Sequence, residues 1–344
     1  MKVIKFILFG IIGLIAVAAI GINLYLSFSQ DDPHFAGRCE VLDLNESSED
    51  IQIDRERGFA YLSMIDRGAL ARGEPAQGSI GRLNLSKTSS TVEPALIDPP
   101  GHFRPHGLSL FIDEDGQRSM IVINHPVDRT TGQDLIELFS ESEPGRFKHV
   151  ETFTVPLIEN ANDLVAVGPR QFYVAQDNGA SRDGSLTKLI YVDNGMATSV
   201  ADDIASGGGI NVSADLSTLY VAETGGQVIR VLSRDPQDGS VTTDQRIAIG
   251  TSPDNIDIAE DGSLWVGAHS SLLALVLHFI MGADAPSQIL RVELDKEGNA
   301  TINEIYLNRG DEISASSVGA TYGNKLLIGS ITAPRILICE RDQA

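Results

Sequence analysis

Cysteine is scarce in this chain: Cys39 and Cys339 are the only two in 344 residues. Two are too few for a disulfide-built scaffold or a cysteine-rich structural zinc site. Basic residues are also scarce, 26 Lys and Arg against 47 Asp and Glu, for a formal charge of −21. A surface of that sign repels phosphate backbones, so nucleic acid is excluded as a partner. No Gly-x-Ser-x-Gly elbow occurs, which argues against a serine hydrolase, and no His-Glu-x-x-His zinc helix. Gly207-Gly208-Gly209 is not followed by Lys-Ser/Thr and is no phosphate loop. Asp113–Gly116 (DEDG) lacks the glutamate of a calcium-binding helix–loop–helix and reads as a hairpin turn. With 42% hydrophobic and 21% charged residues, disordered and multi-span membrane chains are excluded as well.

One long apolar run is present. Phe6–Phe28 carries no charge and follows Lys2 and Lys5. About 20 apolar residues span a bilayer as a helix, so residues 1–30 read as a membrane anchor or signal segment. The lysines favour a cytoplasmic amino end, with residues 31–344 outside the cytoplasm, in an extracellular, lumenal or periplasmic space. The alternative is a cleaved signal with Ala16-Val17-Ala18 as an imperfect site, giving a secreted protein. The body is exported in both cases, and export permits oxidation. A Cys39–Cys339 disulfide is therefore expected, with two buried free thiols as the alternative. Closing so long a loop is worth at most about 5–6 kcal/mol in the chain-entropy model.

The body is repetitive. A polar residue or pair opens a short apolar strand, a turn with Gly or Asp-Gly follows, and then a second strand rich in β-formers. Six such units start at Glu49-Asp50, His106, Asn162-Asp163, Ile210-Asn211, Asp254-Asn255 and Ser317. Helical periodicity is almost absent outside the amino terminus and Leu272–Met281. The spacing of the units is near that of a four-stranded propeller blade, which predicts an all-β, six-bladed β-propeller with a central tunnel. One amino-terminal hydrophobic helix precedes it. The first strand of each blade lines the tunnel, so Glu49, His106, Asn162, Asp254 and Asn255 should converge near one rim. Cys39 and Cys339 flank the units and fit a clasp that closes the ring.

Two carboxylates, Glu49 and Asp254, with the amide oxygens of Asn162 and Asn255, form an oxygen-only donor set that suits calcium. Each Asx taken alone reads as an ordinary turn or cap; their recurrence in different blades carries the signal. His106 opens a tunnel strand and His125 ends the next strand of the same unit. A histidine pair beside a cation site is a candidate base and partner near neutral pH. His269 ends a strand in the unit holding Asp254 and is placed at the same mouth. Ser271–Met281 (SLLALVLHFIM) follows it directly. It is too short to span a bilayer and reads either as a buried cover or as an apolar lip resting on a membrane.

These residues resemble the paraoxonase/arylesterase family, calcium-dependent lactonases and esterases on a six-bladed propeller related to gluconolactonase-like propellers. The likeness runs from about Cys39 to Cys339. Its most specific strings are SED (48–50), PHGLS (105–109), INHP (123–126), NDLVAVGP (162–169), DNI (254–256), LWVGAH (264–269) and KLLIG (325–329). The resemblance implies two calcium ions. Glu49, Asn162, Asp254 and Asn255 would hold a catalytic one, and Asp50, Asp163 and the Leu108 carbonyl a structural one. It also implies a catalytic pair, His106 supported by His125, with Asp254 as the competing base or nucleophile, and His269 in the substrate pocket. One departure matters: the family's further asparagine ligand corresponds to Gly208, and a pocket aromatic to Ser206. The implied activity is hydrolysis of a small, lipophilic lactone or aryl ester at a membrane. The alternatives are a non-catalytic propeller that binds a ligand or partner, and a gluconolactonase- or strictosidine-synthase-like hydrolase.

Overall fold

The computed structural model describes residues 32–87, 91–130, 133–178 and 184–342, together with some positions between 11 and 22. Those last positions are helical. Among the described residues no helix is long and apolar enough to cross a membrane. Most of the anchor expected over Phe6–Phe28 lies outside the described residues.

Residues 34–344 form one compact unit of six antiparallel sheets, the six-bladed propeller expected from the repeats. The first strands of blades 1 to 6 are Ser47–Asp54, Pro105–Ile112, Ala161–Gly168, Gly207–Val212, Ser252–Ile258 and Ser316–Tyr322. They pack side by side in sequence, and the sixth returns to the first, so the ring is closed. Burial falls from the axis outward. Ser47–Asp54 and Ser252–Ile258 are buried along nearly their whole length, whereas the outer strand Val241–Ala248 is mostly exposed. Apolar material sits in six separate wedges, each between the facing sheets of adjacent blades. Ile121, Ile136 and Leu138 of blade 2 meet Leu164, Phe172 and Ile190 of blade 3, for example.

The ring closes within blade 6. Gly37–Asp43, at the start of the body, is the outermost strand of blade 6 and pairs with the last strand, Arg335–Arg341. Cys39 lies directly opposite Cys339 in that register, and the two are joined by a disulfide. The expected clasp therefore crosses a blade that amino- and carboxyl-terminal segments share.

Neighbouring inner strands are stitched by polar groups. Ser109 Oγ accepts from Ala166 N (3.0 Å), Asn211 Nδ2 donates to Ile256 O (2.8 Å), and Thr321 N donates to Asp257 Oδ2 (2.9 Å). Buried backbone groups need partners, and a ring of strands that do not hydrogen-bond across blades leaves several without one.

Candidate active site

Each inner strand carries an irregularity near its start. Register shifts fall at Ser48/Ile51, Pro105/Leu108, Ala161/Asp163, Gly207/Ile210, Pro253/Ile256 and Ser316/Val318. Bulges bend a strand and re-aim its side chains. The residues inside or beside them are Glu49 and Asp50, His106, Asn162 and Asp163, Gly208, Asp254 and Asn255, and Ser317. The repeated polar opening seen in the sequence is thus a repeated bulge that points functional groups at the axis.

The expected residues do come together. Asn255 Nδ2 donates to Glu49 Oε1 (2.8 Å), and Ser317 Oγ to the Glu49 carbonyl (2.5 Å). His269 Nε2 lies 3.1 Å from Asp254 Oδ2. Asp50 accepts from Ile51 N (2.7 Å) and Leu108 N (2.9 Å), linking blade 1 to blade 2. Asp163 does the same from blade 3 to blade 4, accepting from Leu164 N and Ile210 N, both at 2.8 Å. Gly107 permits this closeness: a Cβ there would sit 2.3 Å from Asp163 Oδ1.

So many carboxyls at one buried point disfavour ionisation. Burial first, then Asp254 and Asp50, push Glu49 up to about 8. Burial pushes Asp50 up to about 7 against the pull of its two backbone amides, and lifts Asp163 well above the carboxylate range with Asp50 adding to it. Three buried oxygens, Glu49 Oε2, Asn162 Oδ1 and Asn255 Oδ1, have no hydrogen-bond partner. Unsatisfied acceptors of this kind are costly unless something positive fills the space between them. A hard cation that takes carboxylate and amide oxygens fits that donor set. Among the described residues no group of three or more His, Cys, Asp or Glu has metal-holding geometry; here the amide oxygens of asparagines complete the set.

Blade 4 contributes no ring side chain at Gly208. Thr224 occupies the room instead: its Oγ1 lies 2.7 Å from where a Gly208 Cβ would be, and donates to Pro253 O (2.7 Å). A larger residue at 208 needs Thr224 to move.

The two histidines face each other, with ring centroids 4.6 Å apart. His125 Nδ1 lies 2.8 Å from Asp134 Oδ1, whose other oxygen accepts from Ala161 N (2.7 Å). Asp134 being an acceptor, the His125 proton sits on Nδ1, and the buried Nε2 is left without a partner. His106 Nδ1 lies 2.9 Å from Arg67 Nη2 and 3.3 Å from Glu49 Oε2. Arginine only donates, so His106 keeps its lone pair on Nδ1. Burial lowers the pKa of both imidazoles well below the usual value, helped at His106 by His125 and at His125 by Arg129.

Sequence reasoning missed Arg67, Asp134 and Thr224. Arg67 opens helix α1 (Arg67–Ala71), where Asp66 Oδ1 caps the Ala69 amide at 2.8 Å. Asp134 lies in the loop nine positions past His125. Neither stands in a repeated position, so no pattern announced them. His269 is buried against Asp254. It is not among the residues lining the cavity of about 850 Å³ that opens beside His106 and His125.

Five four-stranded blades and one of five strands close a ring with carboxyls and amides on its axis and an imidazole pair at one mouth, which defines a six-bladed β-propeller with a polar axial site. The arylesterase family model matches residues 32–341. The chain is 32% identical to serum paraoxonase/arylesterase 2 of Homo sapiens over 333 residues, 91% of this chain and 90% of that one. It is 28% identical to the Gallus gallus protein of the same name, over 90% of each. Among solved structures it is similar in fold to a putative gluconolactonase, with a TM-score of 0.52 at 13% identity over 88% of this chain and 92% of that one. A luciferin-regenerating enzyme gives 0.54 at 12% identity, over 88% and 95%. This chain belongs to the arylesterase family: it is a paraoxonase/arylesterase-family hydrolase on a gluconolactonase-like propeller.

Proposed function

We propose that this protein is an exported, calcium-dependent hydrolase of lactones and aryl esters. The observation that carries the calcium dependence is the set of three unpartnered buried oxygens, on Glu49, Asn162 and Asn255, beside the imidazole pair. Glu49, Asn162, Asp254 and Asn255 would hold a catalytic ion, with Thr224 filling the space at Gly208. Asp50, Asp163 and Leu108 would hold a second, although their two carboxylates also serve as inter-blade stitches. A calcium ion at the first site supplies charge to polarise the ester carbonyl and offset the oxyanion as water adds.

The chain's own groups handle the proton. The sequence reading made His106 the base and His125 its support. The hydrogen bonding supports proton acceptance at His125 Nε2, with Asp134 holding the tautomer and stabilising the imidazolium that forms. His106, with its Nδ1 lone pair taken by Arg67, then offers an Nε2–H to the reacting group. The low pKa of both rings keeps them neutral at physiological pH, as a base requires. Asp254 remains the rival base or nucleophile.

The test is hydrolysis of phenyl acetate and of lactones of several chain lengths by the purified full chain, in EDTA and then in excess calcium. Activity that appears only with calcium is the expected result. Hydrolysis indifferent to EDTA removes the metal from the mechanism, and no hydrolysis under any condition favours the non-catalytic propeller that Gly208 leaves open.

Membrane attachment through residues 1–30 is part of the same proposal, and helix α2 (Leu272–Met281) supports it. Six of its ten residues, Leu272, Leu273, Val276, Phe279, Ile280 and Met281, are exposed, and only Ala274 is buried. This overturns the buried-cover reading of the segment. Ser271 caps its start, Gly282 ends it at φ 69°, and His278 ties it to Ala283 O and Thr332 Oγ1, both at 2.6 Å. An apolar helix held on a rigid body, with its greasy side outward, fits shallow insertion at a lipid surface. A chain starting near Asp31 should float with liposomes and lose that with Leu273→Asp plus Phe279→Asp, melting being unchanged. Failure of the truncated chain to bind liposomes would remove the lip.

A further inference from the structure

Positive charge is rare in this molecule, yet the cavity beside the histidine pair collects three arginines. Arg67, Arg104 and Arg129 all line it. Among the described residues the one acidic side chain in that lining, Glu74, is already engaged by Arg72 through two contacts of 3.1 and 2.9 Å. In a chain with nearly two acids for every base, this is a local inversion of sign.

The guanidiniums are incompletely used. Arg104 Nη1 donates to Val127 O (3.2 Å), and Arg67 donates to Ser47 Oγ and Pro105 O (both 3.2 Å) besides His106. Neither has an ion pair among the described residues. Arg129 shares Nη2 between Ala161 O (3.2 Å) and Asp177 Oδ1 (3.3 Å), while its buried Nε has no partner. A guanidinium has five N–H donors, so each retains capacity. All three cations also depress the pKa of His125, which places their fields at one spot.

We propose that this cavity recognises a substrate carrying a carboxylate, an ester or lactone with a free acid group, and that Arg104 and Arg129 are its specificity-determining residues. The proposal rests on the hydrolase reading above. A carboxylate matches the planar fork of arginine and adds negative charge beside three clustered guanidiniums, of which only Arg129 has an ion pair among the described residues, with Asp177. Ile65, Leu70, Phe103 and Val127 give the cavity an apolar wall for the aliphatic part. A volume of about 850 Å³ suits a small organic ligand. The net charge of the chain opposes an incoming anion, but at physiological salt that repulsion is screened beyond about 8 Å, whereas contacts inside the cavity are not. The local charges therefore decide.

The experiment compares two matched aryl esters, of pentanoic acid and of glutaric acid, the second keeping one free carboxylate. With the full chain in excess calcium, kcat/KM should favour the glutarate monoester. Arg104→Gln and Arg129→Gln should each lower the anionic-to-neutral ratio about tenfold, the scale of one charge-assisted hydrogen bond. Arg104→Lys should keep more of it. Arg104 holds only a loop carbonyl, so its variants also serve where Arg129→Gln unfolds. A ratio unmoved by both, or a wild type that prefers the neutral ester, overturns the proposal.

A readout without turnover separates it from the hydrolase reading. Glutarate should raise the melting temperature above an equal ionic strength of sodium chloride, and Arg104→Glu should abolish that rise. Stabilisation without cleavage of either ester would sink the hydrolase and keep the anion site. Robust cleavage with no response to glutarate would do the reverse.

Discussion

Replacing Asp254 by alanine should abolish hydrolysis of every ester and lactone, a loss of about a thousandfold or more in kcat, on the scale of removing a principal electrostatic stabiliser. Asp254 is an axial carboxyl that is also paired with a buried histidine, His269. It is buried, contacts His269 Nε2 at 3.1 Å, and lies against Gly208. Its removal takes a charge from the cation site and leaves His269 with neither ring nitrogen satisfied, since Nδ1 already lacks a partner. His106→Gln should behave differently. The ring of oxygens stays formed, so carbonyl polarisation persists and part of the activity should remain, more on aryl esters, whose phenolate leaves without help, than on lactones, whose leaving group is an alkoxide. Asp134→Asn should cut kcat by about a hundredfold with little change in KM, because it removes the charge beside the His125 imidazolium and touches no substrate-facing group. Melting curves separate these losses from unfolding. Total loss for His106→Gln on every substrate would make it more than a proton handler, and full lactone activity in Asp134→Asn would remove His125 as the base.

The architecture was legible because of how burial is distributed across a blade. The inner strands are buried along most of their length although they open on polar residues, and the second strands, such as Phe59–Ile65, are largely apolar and buried. Those two strands are the unit that repeats in the sequence. The outer strands, such as Met196–Ile204, have one or both faces in solvent and carry no recurrent signature. They were placed by arithmetic on spacing rather than by pattern. Nothing in that arithmetic distinguishes blade 5, where His34–Phe35 adds a fifth, two-residue strand. Its pairing with Tyr306 and Leu307 depends on where the ring closes.

The site divides along the same line. Residues at equivalent places in alternate blades, Glu49 in blade 1, Asn162 in blade 3 and Asp254 and Asn255 in blade 5, are visible because the propeller repeats the bulge that aims them. Those entering from irregular segments are not. Arg67 comes from a five-residue helix inserted between two strands of blade 1, and Asp134 from the approach to a third strand of blade 2. The roles of the histidines turn on these two partners. A pattern of spacings pairs His106 with His125 but cannot tell which ring faces an acceptor and which a donor. That is decided by Asp134 and Arg67.

The calcium-free protein should lose stability as pH rises, and calcium should reverse the trend. Glu49 and Asp50 are pushed up to about 8 and about 7, chiefly by burial, and Asp163 is raised with them. Unfolded carboxyls titrate near 4. Between about pH 4.5 and 8 the folded state therefore holds protons that the unfolded chain has released. Stability is full below that window and falls as pH climbs through it. In EDTA the melting temperature should drop by about 5 °C or more from pH 5.5 to 8, on the scale of about 3 kcal/mol for a chain of this size. Excess calcium supplies the missing positive charge, so the carboxyls ionise on binding and the slope should flatten, with protons released into solution. Asp50→Asn should make the calcium-free slope shallower, since it keeps an acceptor for the Leu108 amide and removes one of the three titrating groups. The rival account is that Asp50 and Asp163 are only stitches between blades, satisfied by their four backbone amides. It predicts that calcium leaves melting unchanged at pH 8. Protons and calcium competing for the same oxygens is what separates the two, and a melting temperature indifferent to calcium across the whole range would leave the tunnel with no structural ion.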